Sequence, residues 1–203
     1  AEFVDDEIGR VLDAADVANT VTTFTSDHGH HLGAHGLDSK WATAYDEVVN
    51  VPFVVRYPDR IPAGETRSGI ASHLDVVPTL LDFAGIDTDE TLHGRSMREL
   101  LESGERHRES ALIEYHGFSR GRVGGDGLFP IRALVTEDAK LVVNLLGDDE
   151  FYDREADPGE VHNRIDDPAV ADRRDDLHDA ILEIMDETDD AFHADGWIER
   201  SWR

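Results

Sequence analysis

The stretch Thr20 to Thr25, Thr-Val-Thr-Thr-Phe-Thr, carries no charge on either side of its two-residue alternation. β-Branched and aromatic residues at this density predict a strand. A strand with no charge on either face suits a buried parallel one, covered above and below. That requirement commits the chain to layers of helices on a sheet, and the flanking segments supply them. Residues 2–17 put Phe3, Val4, Ile8, Val11, Leu12 and Ala15 on one helical face, with Asn19 as the stop. Val51 to Tyr57 predicts a second strand, its Pro52 near the start where a missing N–H is tolerated. A short helix is expected over Lys40 to Val49. Asp75 reads as the N-cap of a helix running to Ala84, with Pro78 in its first turn and Gly85 as its stop. Ser96 and Glu99 read as a capping box for a short helix ending near Ser103.

The pattern changes after about Arg106. Strands are expected over Ala111 to Tyr115, Ile131 to Thr136, Lys140 to Leu146 and Glu150 to Tyr152, with a glycine- and arginine-rich loop from Gly117 to Gly127. Asp167 and Pro168 open a last helix with an apolar stripe of Val170, Leu177, Ile181, Ile184 and Met185. Successive strands on short turns are antiparallel, so this part reads as a small α+β unit. Asp186 to Asp195 reads as a solvated acidic tail. The fold class is therefore α/β over residues 1–106, followed by an antiparallel sheet with a terminal helix over 107–203.

Composition limits partners more than it names them. The 203 residues carry 45 acidic and 19 basic side chains, a formal net charge of −26. Only Lys40 and Lys140 are lysines. Clustered cations are what nucleic acid needs, so nucleic acid is not an expected partner. An acidic, lysine-poor surface stays hydrated where salt screens its self-repulsion, which suggests a halophile's protein. No cysteine is present, so disulfides say nothing of the compartment. No apolar run approaches 18 residues and no leader is visible; no membrane association and a cytoplasmic location are expected. The opening Ala1, running straight into an amphipathic helix, suggests further chain upstream.

The chemistry concentrates where the first strand ends. Asp27 and His28 follow it, at the carboxyl end where α/β folds hold ligands. A carboxylate beside a neutral imidazole suits a divalent cation; the alternative is an Asp-capped turn. Lys40, conspicuous in a chain almost without lysine, suits a sulfate or phosphate oxygen. The same residue can also be an ordinary solvent-facing lysine. His35 is a candidate to stand beside this site and touch substrate, whereas His30 and His31 are expected at the surface, since neighbouring side chains cannot all converge on one ion. His73, close to Asp75, and His93 read as structural.

Taken in order, Thr-Ser-Asp-His-Gly at 25–29, Leu-Gly-Ala-His-Gly-Leu-Asp-Ser-Lys at 32–40, Val-Pro-Phe-Val-Val-Arg-Tyr-Pro at 51–58 and Ser-His-Leu-Asp-Val-Val-Pro-Thr-Leu-Leu-Asp-Phe-Ala-Gly-Ile at 72–86 resemble the sulfatase family of the alkaline phosphatase superfamily. Glu-Phe-Tyr-Asp-Arg-Glu-Ala-Asp-Pro-Gly-Glu-Val-His-Asn-Arg at 150–164 resembles the segment before the last helix of sulfatases. The resemblance implies an alkaline-phosphatase-like α/β sandwich. Residues 1–106 would be the C-terminal half of its catalytic domain, and 107–203 its C-terminal α+β subdomain.

It further implies Asp27 and His28 as metal ligands and Lys40 as the catalytic, sulfate-holding lysine. The metal would be calcium, with manganese or magnesium as alternatives, and the substrate a small sulfate ester or a sulfated glycan. In the family the nucleophile is a formylglycine made from Cys or Ser in a C/S-x-P-S/A-R motif. Neither a cysteine nor Ser-x-Pro-x-Arg occurs in these residues. The nucleophile and remaining ligands are therefore expected on an N-terminal half, which would be a partner, and this polypeptide alone is expected to be inactive. A phosphatase, phosphodiesterase or phosphonate monoester hydrolase of the same superfamily is the alternative, and a non-catalytic split or decayed product a third reading. A sheet lacking its first strands would also leave an open edge and an apolar face, and so a tendency to aggregate.

Overall fold

The computed structural model describes residues 2–87, 90–116, 118–119, 127–128, 130–190 and 195–203. Backbone contacts divide the chain into two units, one of residues 1–26 and 52–108, the other of 27–51 and 109–203.

In the first unit, α1 (Glu2–Ala14) forms as its periodicity requires, yet none of its residues is buried, and Phe3, Val4 and Val11 are exposed. Strands β1 (Thr22–Thr25) and β2 (Phe53–Arg56) pair antiparallel, with Phe24 opposite Val54. Both of those side chains are exposed. The charge-free strand is thus neither parallel nor covered on both sides among the described residues, because its hydrogen-bonded neighbour is a strand running the other way. One short helix of this part, α2 (Asp46–Val49), belongs to the second unit and starts six residues later than the residue pattern suggests. Trp41, at φ 41°, holds the backbone out of the helical region after Lys40.

Helix α3 (Val76–Ala84) ends on Gly85, which is left-handed at φ 64°. Its cap differs from the expectation. Ser72 caps a 3-10 turn over His73–Asp75, and Asp75 closes the capping box by accepting from the Ser72 N–H at 2.9 Å. Asp75 is fully buried and also accepts from Arg95 N at 3.0 Å, His107 Nε2 at 3.0 Å and the Arg108 guanidinium. It is a hub as well as part of a cap, since a buried carboxylate is tolerated only when fully partnered. Helix α4 (Arg98–Ser103) has no capping box; Ser96 Oγ turns to Asp82 at 2.6 Å and accepts from Arg98 N at 3.2 Å.

The second unit holds β3 (Ser110–Tyr115), β4 (Phe118–Ser119), β5 (Gly127–Leu128), β6 (Ile131–Thr136), β7 (Ala139–Asn144) and β8 (Glu150–Asp153). β3, β6, β7 and β8 form one antiparallel sheet in that order, and β4 pairs with β5. Arg120 and Arg122 of the expected loop lie outside the described residues. Asp167 accepts from Ala169 N at 2.9 Å and opens a 3-10 turn that leads into α5 (Ala171–Glu187). Leu177, Ile181 and Met185 of α5 pack on Leu134, Leu141, Val143 and Phe151, together with Trp197 of α6 (Asp195–Ile198).

The acidic stretch after α5 is not all solvated. Left-handed Asp189, at φ 50°, turns the chain so that Asp190 reaches fully buried Arg132, with Oδ2 2.7 Å from Nε and 2.6 Å from Nη2. Among the described residues no helix is long and apolar enough to cross a membrane.

Candidate functional site

Asp27, His28, His35 and Lys40 all lie in the loop that runs from the end of β1 to α2. That loop is shaped by backbone of unusual conformation. Leu32, His35 and Trp41 are left-handed without being glycine, and Gly33 and Gly36 share the region. Such residues cost about 1–3 kcal/mol each and persist where surrounding contacts over-determine them. Here the contacts are visible. Gly29 N donates to Val48 O of α2 at 2.7 Å, and a Cβ on Gly29 would lie 2.0 Å from Glu47 O. The glycine is therefore required by close approach, and it fixes the residue next to His28 against α2.

The His28 imidazole is oriented from both sides. Its Nδ1 stands 2.8 Å from Gly29 O, so that nitrogen carries the hydrogen and donates. Nε2 then presents its lone pair, and two groups meet there. Lys40 Nζ lies 2.8 Å away, and Asp27 Oδ2 lies 3.4 Å away. Asp27 Oδ1 accepts from the His28 N–H at 3.0 Å. Three of the expected site residues, twelve or thirteen positions apart at the extremes, thus converge on one ring nitrogen.

The donor set fits a cation in part. An imidazole whose other nitrogen is tied to a backbone carbonyl is the usual form of a histidine ligand. Divalent ions sit about 2.0–2.6 Å from carboxylate oxygen or imidazole nitrogen, so donors 3.4 Å apart can share one. The Asp27 side chain is 84% exposed, and the His28 side chain 36%. Both remain accessible to further ligands. Among the described residues no group of three or more His, Cys, Asp or Glu side chains could hold a metal ion. Among the described residues this cluster offers two such donors, fewer than the six to eight that calcium takes.

His35 takes partners other than the His28 ring. Its ring stacks on Tyr45 at 3.8 Å between centroids, and its Nε2 meets Glu47 Oε2 at 3.2 Å. His30 is exposed, as expected. His31 is not: it is buried, bonded to Thr43 Oγ1 at 3.0 Å and packed edge-on against His35 and Tyr45. Burial holds its pKa below 6.5, while Glu47 opposes this and His35 adds to it. His31 N also donates to Ser39 O at 3.4 Å.

Sequence reasoning passed over a second group. Lys140, in β7, is fully buried with Asp46 and Glu160. Burial pushes the Asp46 carboxyl up, but Lys140 and Arg154 together hold it below its ordinary value. For Glu160 burial dominates over Lys140 and the pKa is raised. A signal was present: a lysine inside an apolar strand, in a chain with only one other.

Comparison with known proteins follows this geometry. Residues 33–187 match the family described as N-sulphoglucosamine sulphohydrolase, C-terminal. An uncharacterized sulfatase, YidJ, of Escherichia coli K12 is 40% identical over 207 residues, covering 100% of this chain and 40% of that protein. The N-acetylglucosamine-6-O-sulfatase of Bacteroides thetaiotaomicron is 35% identical over 170 residues, covering 79% of this chain and 30% of its own length. A solved structure of a protein in complex with its substrate D-glucosamine-2-N,6-O-disulfate superposes with a TM-score of 0.82 at 31% identity, covering 93% of this chain and 39% of that one. This chain therefore spans at most about two fifths of the length of these relatives, and its α/β architecture is that of the alkaline-phosphatase-like sulfatases. With more than half of its residues inside the family match and 40% identity along its whole length, the chain belongs to the sulfatase family.

Proposed function

We propose that the chain carries the metal- and sulfate-holding part of a sulfuric ester hydrolase. The observation that carries this reading is the convergence of Asp27 and Lys40 on His28 Nε2. In it Asp27 and His28 hold a divalent cation, calcium first, with manganese or magnesium as alternatives. Lys40, which leaves His28 Nε2 when the cation takes that lone pair, holds a sulfate oxygen, and His35, bonded to Glu47 and stacked on Tyr45, stands beside the substrate. The bound ion would supply positive charge to the oxygens around sulfur. The chain's own residues do the rest: Gly29 O fixes the His28 tautomer, Asp27 adds negative charge for the ion, and Lys40 gives a compact cation for the anion.

The protein bound to a disulfated glucosamine and the N-acetylglucosamine-6-O-sulfatase support a sulfated sugar as the substrate class. The nucleophile, a formylglycine in this reading, belongs to residues outside these 203. In the same reading residues 1–106 are the later half of the catalytic domain, residues 107–203 are its C-terminal subdomain, and the acidic, lysine-poor composition is that of a halophile.

Calorimetric titration with calcium, and separately with manganese, tests the site. Asp27→Ala is expected to weaken binding of the preferred ion by at least about tenfold, the loss of one of few charged ligands. Unchanged affinity for both ions in Asp27→Ala, with the fold intact by circular dichroism, would remove the metal assignment.

A further inference from the structure

The loop that bears Asp27, His28 and Lys40 is anchored at one buried ammonium. Lys140 Nζ donates to Ala44 O at 2.8 Å and to Asp46 Oδ1 at 2.5 Å. Glu160 Oε1 lies 2.5 Å away, an ion contact without hydrogen-bond alignment. Arg154 Nη2 holds the other Asp46 oxygen at 2.8 Å. A buried lysine is costly to keep, and an apolar residue of similar volume often serves stability as well. The best-attested use of such a buried group is to fix registration.

The backbone of the same cluster is also unusual. Glu160 is left-handed at φ 51°, a conformation that a side chain with a Cβ rarely adopts. In that conformation its Oε2 accepts from Asp46 N at 2.9 Å while Oε1 meets Lys140. Strain of this kind persists where neighbours over-determine it, and it clusters at sites that must be held in place. Lys140 and Glu160 together grip both the side chain and the N–H of the first residue of α2.

From α2 the path to the site is short. Val48 O accepts from Gly29 N at 2.7 Å, and Gly29 O takes His28 Nδ1 at 2.8 Å. Gly29 also approaches Glu47 O so closely that a Cβ would not fit between them. Any displacement of α2 therefore reaches the His28 ring, and with it the Lys40 ammonium on Nε2.

We propose that Lys140 is a positioning residue for the Asp27–His28–Lys40 site, setting the place of His28 through Asp46, α2 and Gly29. The proposal rests on the reading of that cluster as a sulfate-holding site. It is tested on the 203-residue chain by the imidazole nitrogen resonances of His28, first without ligand and then during titration with inorganic sulfate. In wild type the Nδ1–H tautomer is expected. In Lys140→Met, and to a smaller extent in Asp46→Asn, the His28 resonances should shift or broaden towards mixed tautomers, and sulfate affinity should fall about tenfold. Lys140→Arg should restore part of both.

If Lys140→Met does not fold, Asp46→Asn decides, because it keeps the side-chain volume. A folded Lys140→Met or Asp46→Asn with the wild-type His28 spectrum overturns the proposal. Lys40→Ala separates the two claims. If that variant binds sulfate as wild type does, the sulfate reading fails, while the ligand-free His28 spectrum still decides the role of Lys140.

Discussion

His178 shows how a single ring acquires a pH dependence from its neighbours. It is fully buried in α5, and Nε2–H donates to Trp197 O at 2.6 Å. Nδ1 accepts from Arg203 Nη1 at 2.7 Å, and Trp202 packs edge-on at 5.2 Å between centroids. Burial is the main cause that holds its pKa below 6.5, with Arg203 and Arg200 adding to it and the Trp197 carbonyl and Asp179 opposing. The folded state thus binds the proton more weakly than the unfolded chain. The stability contributed by the neutral ring is complete above 6.5 and is lost as pH falls from there through the depressed folded value. Tryptophan fluorescence should report loosening of residues 195–203 below that point. His178→Gln, which retains an amide N–H for the Trp197 carbonyl, should flatten the change, and an identical pH profile in the variant would rule this origin out. None of this was legible in the sequence, where His178 is one polar residue in an amphipathic helix. Lys40, by contrast, stood out by rarity alone. Lys140 was equally rare and went unread, because burial of a charge depends on partners 20 and 94 residues away.

At the scale of elements, local chemistry foretold the second unit better than the first. The short turns between the strands of 131–153 specify a meander of sequence neighbours, and the Asp167–Pro168 signal opens the 3-10 turn that leads into α5. The first strand was misjudged because absence of charge says that a strand tolerates burial, not which neighbour pairs with it. Asp75 stands immediately before α3 as expected, but its carboxylate, like the Ser96 hydroxyl before α4, is taken by tertiary partners in Arg95, Arg108 and Asp82. Glycines reveal the same dependence on context. At Gly29 an added methyl would meet the Glu47 carbonyl, whereas at Gly9, inside α1, nothing lies within 4 Å. Gly29→Ala should therefore destabilise the second unit by about 1–3 kcal/mol through backbone displacement. Gly9→Ala should stabilise α1 by about 0.5–1 kcal/mol. Urea unfolding of the two variants checks the opposite signs, and equal shifts would show that the close approach at Gly29 does not constrain the loop.

At the scale of the molecule, charge sets the solution behaviour. With 45 acidic and 19 basic side chains, even one-to-one pairing of every cation leaves 26 carboxylates without a cation of their own. Salt acts on both populations. It weakens exposed pairs such as Arg10 with Glu7, worth about 0–1 kcal/mol each, and it screens the repulsion among the excess carboxylates. The excess is larger than the number of pairs that salt can weaken, and the buried pairs of Lys140 and Arg132 are screened little. Repulsion relief therefore wins, and the midpoint of thermal unfolding should rise as potassium chloride is added. The shape of the rise identifies its cause. Screening is nearly complete once the Debye length falls from about 10 Å to about 3 Å, between about 0.1 and 1 M salt. Strengthened apolar burial would instead continue to increase beyond that range. A rise that levels off near 1 M is expected, and a midpoint that falls or stays constant over this range would show that the acidic excess does not limit stability.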